Sequence, residues 1–139
     1  MVEVVVFPDA VRALIPFLST RLAARNAAAT VASDVPTQRP ARVVRVNQVG
    51  GGRRDIATAS VFVLVECWAP SKSAAYDLAA LCLAEIEAAT RSPEPIAPGV
   101  WIGAPAAAFF GPINFPDPVT SSPRYQFTCS LYLSGRALT

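Results

Sequence analysis

The chain has 139 residues, of which 53% are hydrophobic and only 16% charged, and its formal net charge is +2. This length allows one domain with a substantial core but no second domain, and the charge is too small for a protein that binds nucleic acid through a dense basic stripe. Because the apolar fraction exceeds what a small monomer buries, we expect part of it at a subunit interface.

Neither a membrane span nor a secretion signal is predicted. Apolar runs such as residues 61–65 are far shorter than the roughly 20 residues that a membrane helix needs. The first residues, MVEVVVFPD, lack the positive n-region and the cleavage site of a signal peptide. We therefore expect synthesis and function in a cytoplasm-like compartment, with no membrane partner.

A first helix is predicted from Pro8 and Asp9 to about Asn26. Proline is tolerated in the first helical turn, and aspartate is favourable at the positive end of the helix dipole. The apolar stripe consists of Val11, Leu14, Ile15, Leu18 and Leu22. Pro16 lies inside the pattern and removes a hydrogen bond, which predicts a kink or a restart there. Residues 27–41 are predicted to be a connector that allows for an extended piece.

A long β-hairpin is predicted next. Residues 42–49 and 56–68 have strand patterns, and the glycine-rich stretch 50–55 between them is predicted to be the turn. The segment 61–65 is apolar at every position, which predicts a central strand covered on both sides. The earlier half of that strand is more polar and is expected to project from the body.

A second helix is predicted to begin after Ser71, a favourable N-cap residue. Its buried stripe is predicted to be Ala75, Leu78, Ala79, Cys82, Ile86 and Ala89. The strand and helix residues expected to meet in the core are Phe62, Leu64 and Trp68 on the strand and Leu78, Cys82 and Ile86 on the helix. The proline-rich segment 91–99 ends the helix.

The C-terminal part predicts two or three further strands. Residues 100–103 and 106–110 are predicted to be two short strands broken at Pro105. The last strand alternates for ten residues, and its buried face is predicted to be Tyr125, Phe127, Cys129, Leu131 and Leu133. The order of elements predicts a single α+β domain over 1–139, with a mixed or antiparallel sheet and the helices packed on one face.

No catalytic, cofactor or metal site is predicted. The chain has no histidine, which excludes Ser-His-Asp and Cys-His catalysis and histidine-ligated metals. The run Gly50-Gly-Gly52 is followed by Arg-Arg-Asp and joins two strands, so it does not have the P-loop pattern. Ser71-Lys72-Ser73 lacks the S-x-x-K spacing. No pair of acidic residues is placed by spacing as a catalytic dyad.

The cysteines and tryptophans are interpreted as core residues. Cys67, Cys82 and Cys129 form an odd set in apolar segments, which favours buried free thiols. Trp68 and Trp101 have the chemistry to stack a ligand, but each is flanked by apolar residues at a strand end, which favours packing.

Arginines in and around the hairpin allow two interpretations. Arg42, Arg45, Arg53 and Arg54 have the chemistry to contact DNA phosphates or an acidic partner surface. The alternative is that the hairpin is solvated and that these arginines protect an edge strand from aggregation. Two adjacent arginines are not needed to close a hairpin, so Arg53 and Arg54 are predicted to be free to bind a partner.

Several segments together resemble the tail terminator (tail-completion) proteins of long-tailed phages, especially those of actinobacterial hosts. The resemblance covers the layout of the whole chain. In the first two thirds of the chain it includes Phe7-Pro-Asp at the first helix, a hairpin with a glycine-arginine tip, Glu66-Cys-Trp-Ala at a strand end and an alanine-rich helix from Ser71. In the C-terminal part it includes the Pro-Asp-Pro loop at 116–118. It also includes a last strand that begins with Ser-Ser-Pro-Arg-Tyr and ends at Gly-Arg. Pro16 and the proline loop at 91–99 depart from the pattern.

The resemblance implies a structural protein of the virion neck, assembled in the host cytoplasm. Such a protein forms a homohexameric ring on the head-proximal end of the tail tube, ends tube polymerisation and offers a docking face to the head-completion or connector protein. Genomic DNA passes through its lumen without specific binding. The contacts of such a ring are expected at the hairpin and the 111–123 loop, through Arg42, Arg45, Gly51, Arg53, Arg54, Asp55, Phe115, Asp117 and Arg124.

Two other interpretations remain open. A head-closure or stopper protein of the phage neck is also small and non-catalytic. The second alternative is an unrelated dimeric α+β binding module, which would share only its amino-acid composition with this chain. A ring of six subunits distinguishes the neck proteins from the dimer.

Overall fold

The computed structural model describes residues 2–138 and contains an α+β fold with two helices and eight strands. The elements in chain order are β1 (Val4–Val6), α1 (Ala10–Ala24), β2 (Thr30–Ala32), β3 (Val43–Arg53), β4 (Thr58–Trp68), α2 (Lys72–Thr90), β5 (Ile102–Gly103), β6 (Phe109–Asn114), β7 (Arg124–Ser134) and β8 (Arg136–Leu138). The predicted fold class is confirmed.

The main sheet is mixed. Its strands follow the order β2-β3-β4-β7-β5, and β6 also pairs with β7 beside β5. β2 runs parallel to β3, whereas the remaining pairs of this sheet are antiparallel. α1 packs against β2 and β3, and α2 packs against β4 and β7. Both helices share one hydrophobic core with a single face of the sheet.

Helix α1 runs without interruption through Pro16, so the predicted restart is wrong, whereas the predicted kink stays a prediction. Asp9 caps the helix by accepting a hydrogen bond from the backbone N–H of Arg12 at 3.2 Å. Leu14, Leu18 and Leu22 are completely buried on its inner face. Burial of that face stabilises the helix more than the missing amide of Pro16 destabilises it, since tertiary packing supplies most helix stability in proteins.

The glycines predicted to form the hairpin turn lie inside strand β3 instead. Gly50, Gly51 and Gly52 pair with β4, after a β-bulge that leaves Val49 without a partner. A Cβ atom on Gly51 would lie 2.3 Å from the backbone oxygen of Ser60, and its φ of 122° disfavours any other residue. The glycines therefore allow close approach of two strands, and the turn lies at residues 54–57.

Strand β4 is central, as predicted, but helices cover only one of its faces. The β4 residues on the helix side are Ala59, Val61, Val63, Val65 and Cys67, all buried. Phe62 is 47% exposed on the other side. The expected packing of Phe62, Leu64 and Trp68 against α2 is therefore wrong, because an apolar run without alternation does not indicate which face is inside.

Strand β7 confirms the predicted alternation. Phe127, Cys129, Leu131 and Leu133 are buried, and Tyr125 is partly buried against the same core. The two short strands predicted before it are β5 and β6, although β6 extends to Asn114. Strands β1 and β8 were not predicted, and β2 lies in the connector, for which the sequence allowed an extended piece. β1 and β8 form a separate antiparallel ribbon.

The three cysteines are free and buried, as predicted. Burial raises the pKa of the Cys67 thiol well above its ordinary value and that of Cys129 to about 12. Trp68 is 3% exposed, but Trp101 is 48% exposed, so core packing is wrong for Trp101. Within residues 2–138, neither helix combines the length and the apolar character that crossing a membrane requires.

Candidate assembly surface

One face of the main sheet carries no helix. The register places alternate residues of β4, β7 and β6 on this side, opposite the core. We call it the uncovered face and define it by Ser60, Phe62, Leu64, Glu66 and Trp68 of β4, Arg124, Gln126, Thr128, Ser130 and Tyr132 of β7, and Phe110 and Ile113 of β6.

Large apolar side chains are exposed on this face. Phe62 is 47%, Phe110 69% and Ile113 42% exposed. Leu64 lies opposite Thr128, which in turn lies opposite Phe110, so these side chains follow one another across three strands. Phe115, 53% exposed, continues the patch beyond β6. Large apolar side chains exposed together on one sheet face mark a candidate interaction site.

A buried carboxylate lies at one end of the uncovered face. Glu66 is 5% exposed and accepts hydrogen bonds from Arg45 at 3.2 Å and from Arg124 at 2.9 Å. The three residues belong to β3, β4 and β7, so the ion cluster crosses three adjacent strands. One carboxylate between two guanidinium groups leaves a positive charge in excess.

Trp68 lies in the middle of a second group of contacts, next to that cluster. The guanidinium groups of Arg39 and Arg124 lie 5.7 and 5.4 Å from the centre of its ring. Its indole N–H donates to Oδ2 of Asp117 at 3.1 Å. Arg39 also donates to Asp117, at 3.3 Å, and to Ser122. Two cation–π contacts and a hydrogen bond thus hold the tryptophan in place.

Asp117 organises the loop before β7. Its Oδ1 accepts from the backbone N–H groups of Val119 at 2.9 Å and Thr120 at 3.2 Å. Together with the donors Trp68 and Arg39, these bonds lower the pKa of Asp117 to about 2, with the Val119 amide contributing most. Hydrogen bonds to the charged form favour ionisation. The loop is therefore fixed to the uncovered face by a carboxylate that stays charged.

Four of the predicted contact residues come together here. Arg45 and Arg124 share Glu66, and Arg124 also donates to the backbone oxygen of Phe115 at 2.7 Å. Asp117 joins them through Trp68. The structure thus brings the beginning of the hairpin next to the 111–123 loop, which the sequence presented as two separate candidates.

The other predicted contact residues lie elsewhere. Gly51, Arg53, Arg54 and Asp55 are at the far end of the hairpin. Arg42 is exposed just before β3, where its backbone oxygen accepts from the N–H of Thr30. Their role as partner contacts stays a prediction.

Arg53 and Arg54 already have contacts within the chain, contrary to the prediction that they are free. Arg53 donates to the backbone oxygen of Val5 at 3.0 Å, and its guanidinium lies 4.9 Å from the ring centre of Phe7. Arg54 lies 4.5 Å from the ring centre of Tyr132. Asp55 accepts from the amides of Ala57 and Thr58 and so forms the turn. Arg53 therefore fixes strand β1, whereas Arg54 lies over the uncovered face.

Sequence reasoning missed Glu66, Trp68 and Arg39 as the centre of the network. Glu66 was detectable, since it is a single charge within the apolar strand 61–68 and a buried charge requires partners. Arg39 was not, because it lies in a connector that no pattern places against β4. The exposure of Phe62, Phe110 and Ile113 was not predictable either, because it depends on the order of the strands in the sheet.

The positive charge of the chain is concentrated on this face. Arg39, Arg45, Arg54 and Arg124 lie on or over it, against the carboxylates Glu66 and Asp117. That excess of two equals the formal net charge of the whole chain, +2. The uncovered face is therefore both apolar and positive.

A separate ion cluster lies on the helix side. Glu85 of α2 is 6% exposed and accepts from Arg21 at 2.7 Å and from Arg25 at 3.1 Å. The hydrogen bond from Arg21 is the main cause of a lowered pKa of Glu85. This cluster joins α1 to α2. Among residues 2–138, no three Cys, Asp or Glu side chains are grouped as metal ligands.

The sequence matches no protein-family model, and no match to it was found among curated proteins.

Proposed function

We propose that the chain is a structural protein of the neck of a long-tailed phage, a tail terminator that forms a hexameric ring on the head-proximal end of the tail tube. The ring ends tube polymerisation and presents its other side to the head-completion or connector protein. DNA passes through the lumen without base-specific contacts. The proposal joins the sequence resemblance to one observation, the exposed apolar patch of Phe62, Phe110, Ile113 and Phe115.

That patch supports a protein that works by assembly. Four large side chains exposed between 42% and 69% on one sheet face are unfavourable in water, and burial against a protein surface removes that cost. The loop beside the patch is fixed by Asp117 and Arg124 rather than left free. A surface with fixed geometry suits repeated, identical contacts.

A ring requires two different patches on each subunit. Contacts between subunits related by a six-fold axis are heterologous, so the patch that one subunit offers must meet another surface of the next. A head-closure or stopper protein would meet the same requirement. A two-fold dimer would instead bury one patch against itself.

Imaging tests the proposal. We expect negative-stain images of the purified chain, alone or added to growing tail tubes, to show rings with six-fold symmetry. When added during polymerisation of tail tube protein, the chain should stop growth and be found at one tube end. Rings that bind a head connector and never a tube would indicate the stopper function. Compact two-fold particles that bind neither would contradict a neck function.

A further inference from the structure

The face of α2 that points away from the core carries small side chains and a charge opposite to that of the uncovered face. The buried residues of α2 occupy one side of the helix, and the opposite side carries Asp77, Ala80, Ala84, Glu87 and Ala88. We call this second set the outer α2 face. All but Ala80, which is partly buried, are exposed. Three alanines make the middle of this surface flat, so another surface can approach closely.

The exposed charges along the middle turns of the outer α2 face are both acidic. Asp77 and Glu87 are exposed, whereas Glu85 is buried against α1. Lys72 and Arg91 lie at the two ends of the helix, and Arg91 forms an exposed ion pair with Glu87 at 4.0 Å, so one negative charge remains in excess on this face. The outer α2 face therefore has the sign opposite to that of the uncovered face, where four arginines face two carboxylates.

The spacing of the charges also agrees. Asp77 and Glu87 are ten residues apart, which is about 15 Å along a helix. On the sheet, Arg54 lies over Tyr132 and Arg45 lies in the row of Gln126, six residues away on β7, which is about 20 Å along a strand. Arginine side chains are long enough to cover the difference. Between the charges, Phe62 and Leu64 would face the alanines.

We propose that the uncovered face of one copy of this chain binds the outer α2 face of a second copy. The contact places a helix of the neighbour along β4 and β7, on the side of the sheet that has no helix of its own. Two uncovered faces would not pair with each other, because each carries the same positive excess. The contact is therefore heterologous, which is the type that a ring of identical subunits requires.

This inference rests on the proposed ring and specifies its subunit contact. It also assigns part of the apolar surplus of the sequence, Phe62, Phe110 and Ile113, to a definite place. The aromatic side chains of the uncovered face would form the centre of the interface, and the arginines would select the acidic helix and its orientation, since charge complementarity sets specificity more than affinity.

Cysteine cross-linking tests the contact directly. Ser130 lies beside Phe62 on the uncovered face, and Ala84 is exposed in the middle of the outer α2 face. The changes Ser130→Cys and Ala84→Cys add little volume, and the native cysteines are buried. We expect the double variant, mildly oxidised, to give a ladder of disulfide-linked species larger than a dimer. An equal mixture of the two single variants should give a dimer only.

Each control has a defined consequence. Ser19→Cys lies on an exposed position of α1, and its mixture with Ala84→Cys should give no cross-link. Dimers formed by Ser130→Cys alone would overturn the inference, since they would mean that uncovered faces pair with each other. A wild-type chain that forms six-fold rings while the mixed variants give no dimer would overturn the contact and leave the ring standing. A wild-type chain that never forms rings, alone or on tubes, would overturn both.

Discussion

The indole N–H of Trp68 donates to Oδ2 of Asp117 at 3.1 Å, which joins the end of β4 to the loop that leads into β7. Trp68 is 3% exposed although no helix covers it. It is covered by the loop and by two arginines instead. A carboxylate in a loop therefore determines the shape of one end of the candidate interface.

The stability of the protein should depend on the charge of Asp117. Its pKa is about 2 in the folded chain, below its ordinary value of 3.8. A lowered pKa stabilises the fold fully above the ordinary value, and this stabilisation is lost as the pH falls through the folded value. We expect the wild-type chain to lose more stability than Asp117→Asn between pH 5 and pH 2 in urea unfolding. Asp34→Asn, at an exposed position, is the control. Parallel curves for wild type and Asp117→Asn would contradict the role of this carboxylate.

Two substitutions on opposite faces of the sheet should lower the free energy of unfolding by very different amounts. Leu131 is completely buried on the helix side, so Leu131→Ala should lower the free energy of unfolding by about 2–5 kcal/mol. Phe62 is 47% exposed on the uncovered face, and Phe62→Ala should cost about 1 kcal/mol or less. Denaturant unfolding of both variants checks the difference. Equal costs would mean that the two faces of β4 and β7 are assigned incorrectly.

Replacing the proline inside α1 should stabilise the protein. Pro16 is exposed in the helix interior, where proline is about 3 kcal/mol less favourable than alanine. We expect Pro16→Ala to raise the free energy of unfolding by about 1–3 kcal/mol, since it restores a backbone hydrogen bond. Ser19→Ala, also at an exposed position of α1, is the control and should change this free energy little. A destabilised Pro16→Ala variant would mean that the helix depends on a bend.

The two arginines at the hairpin end should have separate roles. Arg53 donates to the backbone oxygen of Val5 and covers Phe7, so Arg53→Ala should speed amide hydrogen exchange in β1. Arg54 contacts Tyr132 on the uncovered face, so Arg54→Ala should leave that exchange unchanged. If the proposed subunit contact is correct, Arg54→Glu should block assembly without unfolding the chain. Equal exchange rates of β1 in both alanine variants would contradict the assignment of separate roles to Arg53 and Arg54.

The native protein should be resistant to thiol reagents. Cys67, Cys82 and Cys129 are buried, and burial raises the pKa of Cys129 to about 12. Because the thiolate is the reactive form, we expect no labelling at pH 8 in buffer and three labelled thiols in denaturant. Rapid labelling of the folded chain would show that the core opens between α2 and the sheet.

Local patterns were sufficient for the parts of the fold that alternate or have caps. The ten-residue alternation of β7 indicated its buried face, and Ser71 indicated the start of α2, where its hydroxyl accepts from the N–H of Ala74. The α2 stripe was assigned correctly, since all six predicted residues are buried.

Features that depend on contacts between distant segments were not predictable from one sequence. The run 61–65 gives no indication of which face is inside, so Phe62 was assigned to the core. The run of glycines at 50–52 is typical of a turn, but in the structure the close β4 backbone leaves no room for a side chain at Gly51. Strands β1, β2 and β8 have three residues each, too few for a pattern to be visible. The candidate surface needs the strand order, because it combines residues 39, 45, 66, 68, 117 and 124.

The ion cluster of Arg45, Glu66 and Arg124 also constrains how the sequence can change through descent. Its three positions lie on adjacent strands, and the Glu66 carboxylate is 5% exposed. Loss of both arginines would leave the Glu66 carboxylate buried without a partner, and loss of Glu66 would leave the two arginines without their shared carboxylate. Single substitutions there should be rare, and an apolar residue at 66 should occur together with uncharged residues at 45 and 124. Related sequences should therefore show these three positions changing as a set, while the exposed residues beside them change independently.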